Sequence, residues 1–321
     1  MRQLIPIACI LILAALMHFG VMPLVGGFYG KLLMDIGINV ILAVSLNVVN
    51  GFTGQFSIGH AGFMAVGAYV AATLTYYVTL RTGAGGQGLF FAACIAGGIV
   101  AGLAGWIVGL PSLRLRGDYL AIVTLGFGEI LRVTLQRTGD VVTDAAAARS
   151  MRLVELTTHV GGALGFTGLP FYTNGFWVVL FAGIAVLAAA RLKTSTHGRA
   201  FVAIRENEVA AEAMGVPTTR YKVQAFVVAA FFAGIAGALF AHEVGVTLNP
   251  RELGFQRSFD IVIMVVLGGL GSVTGSALAA TALTIIPELL RGFAEYRLVV
   301  FALILIVVMI WRPQGLLGNR A

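Results

Sequence analysis

"NGFTGQFSIGHAGF", residues 50–63, lies between two long apolar runs and combines four glycines with two amides, two hydroxyls and a histidine. Inside a bilayer, non-helical backbone is tolerated only where it lies against protein or lines a water-filled cavity. The stretch therefore predicts a break in a membrane-spanning helix. The small residues that follow, from Gly62 to Ala72, are typical of close packing between helices.

The rest of the chain is strongly apolar. Of its 321 residues, 59% are hydrophobic and 11% are charged, whereas a soluble domain carries about 25% charged residues. A further apolar run, 259–287, is interrupted by "GGLGSVTG" and counts as two elements. We predict an all-α polytopic membrane protein, a single transmembrane domain over residues 1–321 with about ten helices (8–10), some of them discontinuous. The other predicted spans lie near 4–25, 32–49, 58–80, 88–110, 119–135, 174–191, 223–245 and 296–311.

The two glycine-rich interruptions, at 50–60 and 268–276, lie in the two halves of the chain. Interrupted hydrophobic segments in corresponding positions point to discontinuous helices around a translocation site. Neutral amides and hydroxyls suit a path for a small polar solute, because they require no compensation of a buried charge. The candidate path residues are Asn47, Asn50, Thr53, Gln55, Ser57, His60, Ser272 and Thr274.

Two connections between spans are long. The first, 136–173, is predicted to be external, either as a loose loop or as a platform for a soluble partner. The second, 192–222, is predicted to be cytoplasmic and contains "RENEVAAEAM", a short amphipathic helix that Gly215 would cap. This helix either rests on lipid headgroups or docks a cytoplasmic partner. Docking is favoured because its three glutamates, Glu206, Glu208 and Glu212, fit poorly against an anionic membrane surface.

The ionisable residues and motifs give no sign of an enzyme. Glu129 and Arg132 are spaced i, i+3 and are predicted to pair with each other. The sequence contains no phosphate-binding G-x-x-x-x-G-K-[ST] loop and no metal-ligand spacing. Active transport would therefore take its energy from another subunit or from an ion gradient. The distribution of basic and acidic residues favours cytoplasmic termini.

Several stretches together resemble the permease subunits of branched-chain amino acid ABC importers, the M-type subunit in particular. They run in the same order over nearly the whole chain: "LNVVNGFTGQFSIGHAGFMAVGAY", "RLRGDYLAIVTLGFGEILR", "IRENEVAAEAMGV", "KVQAFVVAAFFAGIAGAL", "VLGGLGSVTGSALAA" and "RPQGLLG". ABC permeases often carry an E-A-A-x-x-x-G pattern in their coupling loop. Here "VAAEAMG", 209–215, places Val209 where that pattern has glutamate.

The resemblance implies a multi-pass subunit of a bacterial inner membrane that works with a second homologous permease, two cytoplasmic ATPases and an external solute-binding protein. It implies no nucleic acid partner and no cofactor on this chain, with ATP and magnesium bound by the ATPases. It also implies that 192–222 is the coupling loop. The residues expected to contact an ATPase are Arg205, Glu206, Asn207, Glu208, Ala211, Glu212 and Gly215.

The expected function is therefore that of an ABC importer permease for branched-chain or other amino acids, with no ATPase site of its own. The alternative is a secondary transporter or channel for a small polar solute such as urea or a short amide, which would use Asp260, Glu129 or His60 to handle ions.

Overall fold

The computed structural model describes residues 5–112, 118–243 and 247–290, together with parts of 299–317. Within this part of the chain the secondary structure is helical, apart from one isolated antiparallel bridge between Phe166 and Leu248. The helices are α1 (Ile5–Leu16), α2 (Met22–Asn47), α3 (His60–Thr82), α4 (Gln87–Ser112), α5 (Asp118–Gln136), α6 (Ala145–Ser150), α7 (Leu153–Leu156), α8 (Gly175–Thr194), α9 (Thr196–Glu206), α10 (Glu208–Ala213), α11 (Thr218–Ala241), α12 (Phe255–Gly268) and α13 (Val273–Leu289).

Among the residues that the structure describes, six helical stretches are long and apolar enough to cross a membrane. The first, Ile5–Phe52, has 48 residues and would measure about 72 Å as one helix, more than twice the hydrocarbon thickness. It is interrupted at Gly26, whose φ of 75° and ψ of 165° lie outside the helical region. The stretch therefore contains two of the predicted spans.

The two arms on either side of Gly26 both pack on α8 and run in opposite directions. The neighbours are Ile10 with Gly183 and Met22 with Gly175 for the first arm, and Gly37 with Val178 for the second. Val44, further along the second arm, shares a buried cluster with Ala189 of α8. Along the first arm the partner numbers on α8 fall, and along the second they rise. The chain thus reverses direction near Gly26, where glycine tolerates the left-handed φ.

The helix count agrees with the expected number in approximate terms. The two arms of the first stretch and α3, α4, α5, α8 and α11 account for seven crossings, and α12 and α13 follow as two shorter helices. At 14 and 17 residues, they measure about 21 and 26 Å, less than a full span. The expected last span, near 296–311, lies mostly outside the described residues.

The described chain divides into two compact units. The first comprises Met1–Phe56, Gly175–Ala225 and Asp260–Ala321. The second comprises Ser57–Asn174 and Phe226–Phe259. The polar stretch 50–63 is therefore divided between the units, with residues 50–56 in the first and residues 57–63 in the second.

Small residues allow the helices of the second unit to pack closely, as the sequence predicts for Gly62 to Ala72. The backbone of Gly67 in α3 lies so near Gly234 in α11 that a Cβ at Gly67 would overlap the glycine backbone. Gly62 of α3 lies similarly close to Gly128 of α5, because a Cβ added to Gly62 would be 3.0 Å from the Gly128 Cα. Close backbone approach of this kind is how small residues hold helices together in a membrane.

The 136–173 connection is organised, which excludes the loose-loop interpretation. It contains α6, α7 and a 3-10 turn, and Asp144 caps α6 by accepting from the backbone N–H groups of Ala146 and Ala147. Arg81 at the end of α3 donates to the carbonyl of Ala148 at 2.7 Å. The Tyr77 hydroxyl accepts from the N–H of Val142 at 3.2 Å. Side chains of α3 therefore hold this connection in place.

Candidate functional site

The first break begins where α2 ends. Val48–Phe52 forms a five-residue π-helical turn, and residues 54–59 have no regular structure before α3 starts at His60. π-Turns within helices are rare and often occur at functional sites. The Thr53 hydroxyl donates to the Val49 carbonyl at 2.8 Å and helps to satisfy the backbone there. The predicted interruption of the helix is thus confirmed.

The second break lies between α12 and α13. Gly269 and Gly271 have φ values of 100° and 84°, which end α12 and turn the chain. The Ser272 side chain accepts from the N–H of Gly275 at 3.1 Å and caps α13. Ser272 therefore has a structural task, and Thr274 is exposed on the surface of this chain.

The first unit brings the two breaks into contact. Asn47 Oδ1, at the end of α2, accepts a hydrogen bond from the N–H of Gly271 at 2.8 Å. The backbone is packed so tightly that a Cβ on Gly51 would come closer than 3.0 Å to both Asn47 Oδ1 and the Gly271 nitrogen. Two segments separated by more than two hundred residues thus form one polar junction, which we call the break junction: Asn47, Gly51 and Gly271.

Two amide atoms near the break junction lack a hydrogen-bond partner among the described residues. They are Asn47 Nδ2 and Gln55 Oε1, and both are buried. A buried polar atom without a partner costs about 1–3 kcal/mol, so such groups in native proteins call for an explanation such as a bound solute or water. One atom is a donor and the other is an acceptor.

The 192–222 loop contains two helices where the sequence predicted one. The chain is extended at Asn207 (φ −159°), and the Asn207 side chain caps α10 by accepting from the N–H of Ala210 at 3.0 Å. At the other end, Gly215 adopts a φ of 83°, and the N–H of Val216 donates to the carbonyl of Ala211 at 3.0 Å. The predicted role of Gly215 as a helix cap is confirmed, in the form of a Schellman motif.

This loop is packed onto both breaks. Phe201 of α9 is buried in an apolar cluster with Phe52 of the first break and Val273 of the second. The other buried members of the cluster are Val44, Val48, Ala189 and Ala225. Because core packing is dense and transmits strain, a displacement of α9 would act on Phe52 in the first break and on Val273 at the end of the second.

The three glutamates predicted to face a partner are engaged within the loop. Glu206 accepts from Arg205 at 3.0 Å, and Glu208 pairs with the buried ammonium of Lys222 at 2.5 Å. Glu212 accepts from the hydroxyl of Thr218 at 3.0 Å. The contacts of Glu208 and Glu212 hold α10 against the start of α11.

Two large apolar side chains are exposed along and just after α10. Val209 is 63% exposed and Met214 is 84% exposed, whereas Ala211 is buried. Ala211 therefore packs within the loop. Only the tertiary structure distinguishes the covered face from the open one.

The remaining candidates lie in the second unit. Ser57 and His60 are buried, the latter at the first residue of α3. Glu129 forms the predicted ion pair with Arg132, at 2.7 Å, and also accepts from the N–H of Phe255 at 3.1 Å. The Glu129 carboxylate is thus committed to structural contacts.

A family model described as "Branched-chain amino acid transport system / permease component" matches residues 28–309. The chain belongs to this family of permeases. The permease is similar to the high-affinity branched-chain amino acid transport system permease protein LivM of Salmonella typhimurium, at 38% identity over 87% of the permease and 68% of the relative. The LivM protein of Escherichia coli gives the same identity and coverage.

The permease is also similar to a second type of transport protein and to a solved structure, at lower sequence identity. The permease protein LivH of Escherichia coli is 26% identical over 87% of the permease and 91% of its own length. A solved inward-facing ABC transporter of the metal-chelate type covers 97% of the permease and 99% of that chain, at 14% identity and a TM-score of 0.46.

Family membership confirms the main functional expectation. The chain is a multi-pass, membrane-spanning permease subunit of the ABC transporter class. The alternative, a self-sufficient secondary transporter or channel, has no support from these relatives.

Proposed function

We propose that the permease imports branched-chain or other amino acids across a bacterial inner membrane, as one of two homologous permease subunits. In this proposal two cytoplasmic ATPases bind the ATP and magnesium, an external binding protein delivers the substrate, and both termini are cytoplasmic. The relatives named for branched-chain amino acid transport support this assignment. The organised 136–173 connection offers a stable surface to the external protein.

The observation that carries the proposal is the packing of the 192–222 loop onto both breaks. Phe201 connects this loop to Phe52 and Val273 in one buried cluster. When the ATPases close on ATP, the loop moves with them, and the cluster transfers that movement to the break junction. Import is thereby driven by hydrolysis on other subunits.

The docking surface on the loop is centred on Val209 and Met214. Exposed apolar side chains next to polar neighbours are typical of protein–protein contacts, and methionine adapts its shape to a partner. The exposed part of Glu206 forms a charged rim. Asn207 and Gly215 hold α10 in the conformation that presents this surface.

The break junction borders the path of the solute. An amino acid carries a carboxylate that accepts hydrogen bonds and an ammonium that donates them. Asn47 Nδ2 and Gln55 Oε1 are a buried donor and a buried acceptor, and brief contacts with them would ease passage without holding the solute. Lining roles for the other path candidates stay predictions: Asn50, Thr53, Ser57, His60, Ser272 and Thr274.

The first test is purification of the tagged permease from its native membrane in mild detergent, with partners identified by mass spectrometry. We expect two ATPases and a second permease to accompany the wild type, and Met214→Glu to lose the ATPases. Leu164→Glu, an equally exposed apolar residue of the 136–173 connection, serves as the matched control and should keep them. Retention of the ATPases by Met214→Glu together with Val209→Glu would contradict the docking surface.

The substrate class is tested by uptake in cells that lack the chromosomal gene. Re-expression of the permease should restore uptake of radiolabelled leucine, and unlabelled isoleucine or valine should compete. Restoration of urea uptake without leucine uptake would overturn the amino acid assignment.

A further inference from the structure

Two cations of the 192–222 loop reach into the break junction. Lys193, at the end of α8, donates from Nζ to the carbonyl oxygen of Gly271 at 2.7 Å. Arg205, at the end of α9, donates from Nη1 to the carbonyl oxygen of Gly51 at 3.0 Å. One cation therefore holds each break, and both carbonyls belong to buried glycines.

The peptide groups at the junction are held on more than one side. The N–H of Gly271 donates to Asn47 while its carbonyl accepts from Lys193. Arg205 also lies against the turn of the first break, since a Cβ on Gly54 would come within 2.7 Å of Arg205 Cγ. A side chain at Gly271 would approach Arg205 Nη1 to 3.0 Å, so the guanidinium lies between the two breaks.

This arrangement is more than a solvated basic surface. Long lysine and arginine side chains lose conformational entropy when they are fixed in one geometry, and a charged donor to a carbonyl is among the stronger hydrogen bonds. Here both cations donate hydrogen bonds to backbone carbonyls of the same junction. Glu206 accepts from the Nε and Nη2 groups of Arg205 and thereby orients its remaining nitrogen toward Gly51.

We infer that Lys193 and Arg205 are positioning residues for transport, a two-cation clamp that makes both breaks follow the 192–222 loop. The clamp gives each break its own polar connection, while the Phe201 cluster supplies a shared apolar one. The inference rests on the proposed function, because it needs the loop to be driven by an ATPase.

The test measures hydrogen exchange by mass spectrometry in the full transporter, held in lipid nanodiscs, either without nucleotide or trapped with ATP and vanadate. In the wild type, trapping should change exchange in the loop, 196–213, and in both breaks, 47–56 and 268–276. In Arg205→Met the loop should still respond, while the response of 47–56 falls about fivefold or more, as expected from loss of a charge-assisted bond.

Lys193→Met should produce the reciprocal result, a lost response at 268–276 with that of 47–56 retained. Arg205→Lys keeps one charged donor and should restore the response, which a purely steric role of the arginine would not allow. Arg199→Met removes an exposed cation of the same helix and is the matched control. It should behave as the wild type.

The outcomes separate the clamp from the proposed function. If the loop responds to trapping and both breaks follow it equally in wild type and clamp variants, the clamp is overturned and the docking loop stands. If 196–213 does not respond in the wild type, the proposed coupling function fails and the clamp with it.

Discussion

Substitution of Gly51 by alanine is expected to disrupt the break junction, where the two breaks are in contact. The added Cβ would come closer than 3.0 Å to Asn47 Oδ1 and to the Gly271 nitrogen, a distance that real Cβ atoms essentially never show. Both neighbours are buried, so the chain has to shift. Overpacking of this kind costs about 1–3 kcal/mol.

The shift also breaks the 2.8 Å bond between Asn47 and the N–H of Gly271. A buried N–H left without its acceptor costs about another 1–3 kcal/mol. The free energy of unfolding should therefore fall by about 2–6 kcal/mol. Both costs arise through the Asn47 side chain. Gly51→Ala should therefore lower the free energy of unfolding by less in an Asn47→Ala background, and the difference should be a coupling energy of about 0.5–3 kcal/mol.

The assay is thermal unfolding of the detergent-purified permease, followed by tryptophan fluorescence and by loss of the monodisperse peak in size-exclusion chromatography. Gly27→Ala is the matched control, because an added Cβ there meets nothing within 4 Å and α-helical Gly→Ala changes stabilise or are neutral. Equal midpoints for Gly51→Ala and Gly27→Ala would refute the close contact between the breaks. Equal costs of Gly51→Ala with and without Asn47 would refute the shared mechanism.

Three further outcomes are expected. Lys222→Met should leave Glu208 unpaired and raise the rate of proteolysis in the 192–222 loop, and Glu208→Gln in the same chain should partly reverse this because the pair is half-buried. Arg81→Met should speed hydrogen exchange in the 136–173 connection while ATPase co-purification is unchanged, since its carbonyl contacts lie in that connection. Glu129→Gln should keep uptake within about twofold, because the amide oxygen can still accept from the N–H of Phe255 and the ion pair with Arg132 is partly exposed. Loss of uptake in this variant would restore the ion-driven alternative.

The sequence alone determined the class of the protein and the positions of its breaks. Long apolar runs that do not alternate are helices in a bilayer. A cluster of glycine, amide and hydroxyl residues within such a run predicts an interruption of the helix. The cap at Gly215 and the ion pair of Glu129 with Arg132 were equally accessible. These are local features, which depend on spacing within one or two helical turns.

The connections between distant segments could not be read from the sequence. Nothing local to Lys193 or Arg205 shows that they donate to carbonyls in two other parts of the chain. The intrachain partners of Glu208 and Glu212, which are Lys222 and Thr218, follow after a turn whose geometry the sequence leaves open.

The tertiary structure therefore decided which residues of the loop are open and how the two breaks meet. Burial patterns along a helix specify a face, but whether a face meets lipid, another helix or a partner depends on where the remaining helices pack. The contact of the Asn47 side chain with the N–H of Gly271 exists because residue 51 is glycine, whose missing Cβ leaves room for both groups. That distance is set by packing in three dimensions, and no spacing in the sequence encodes it.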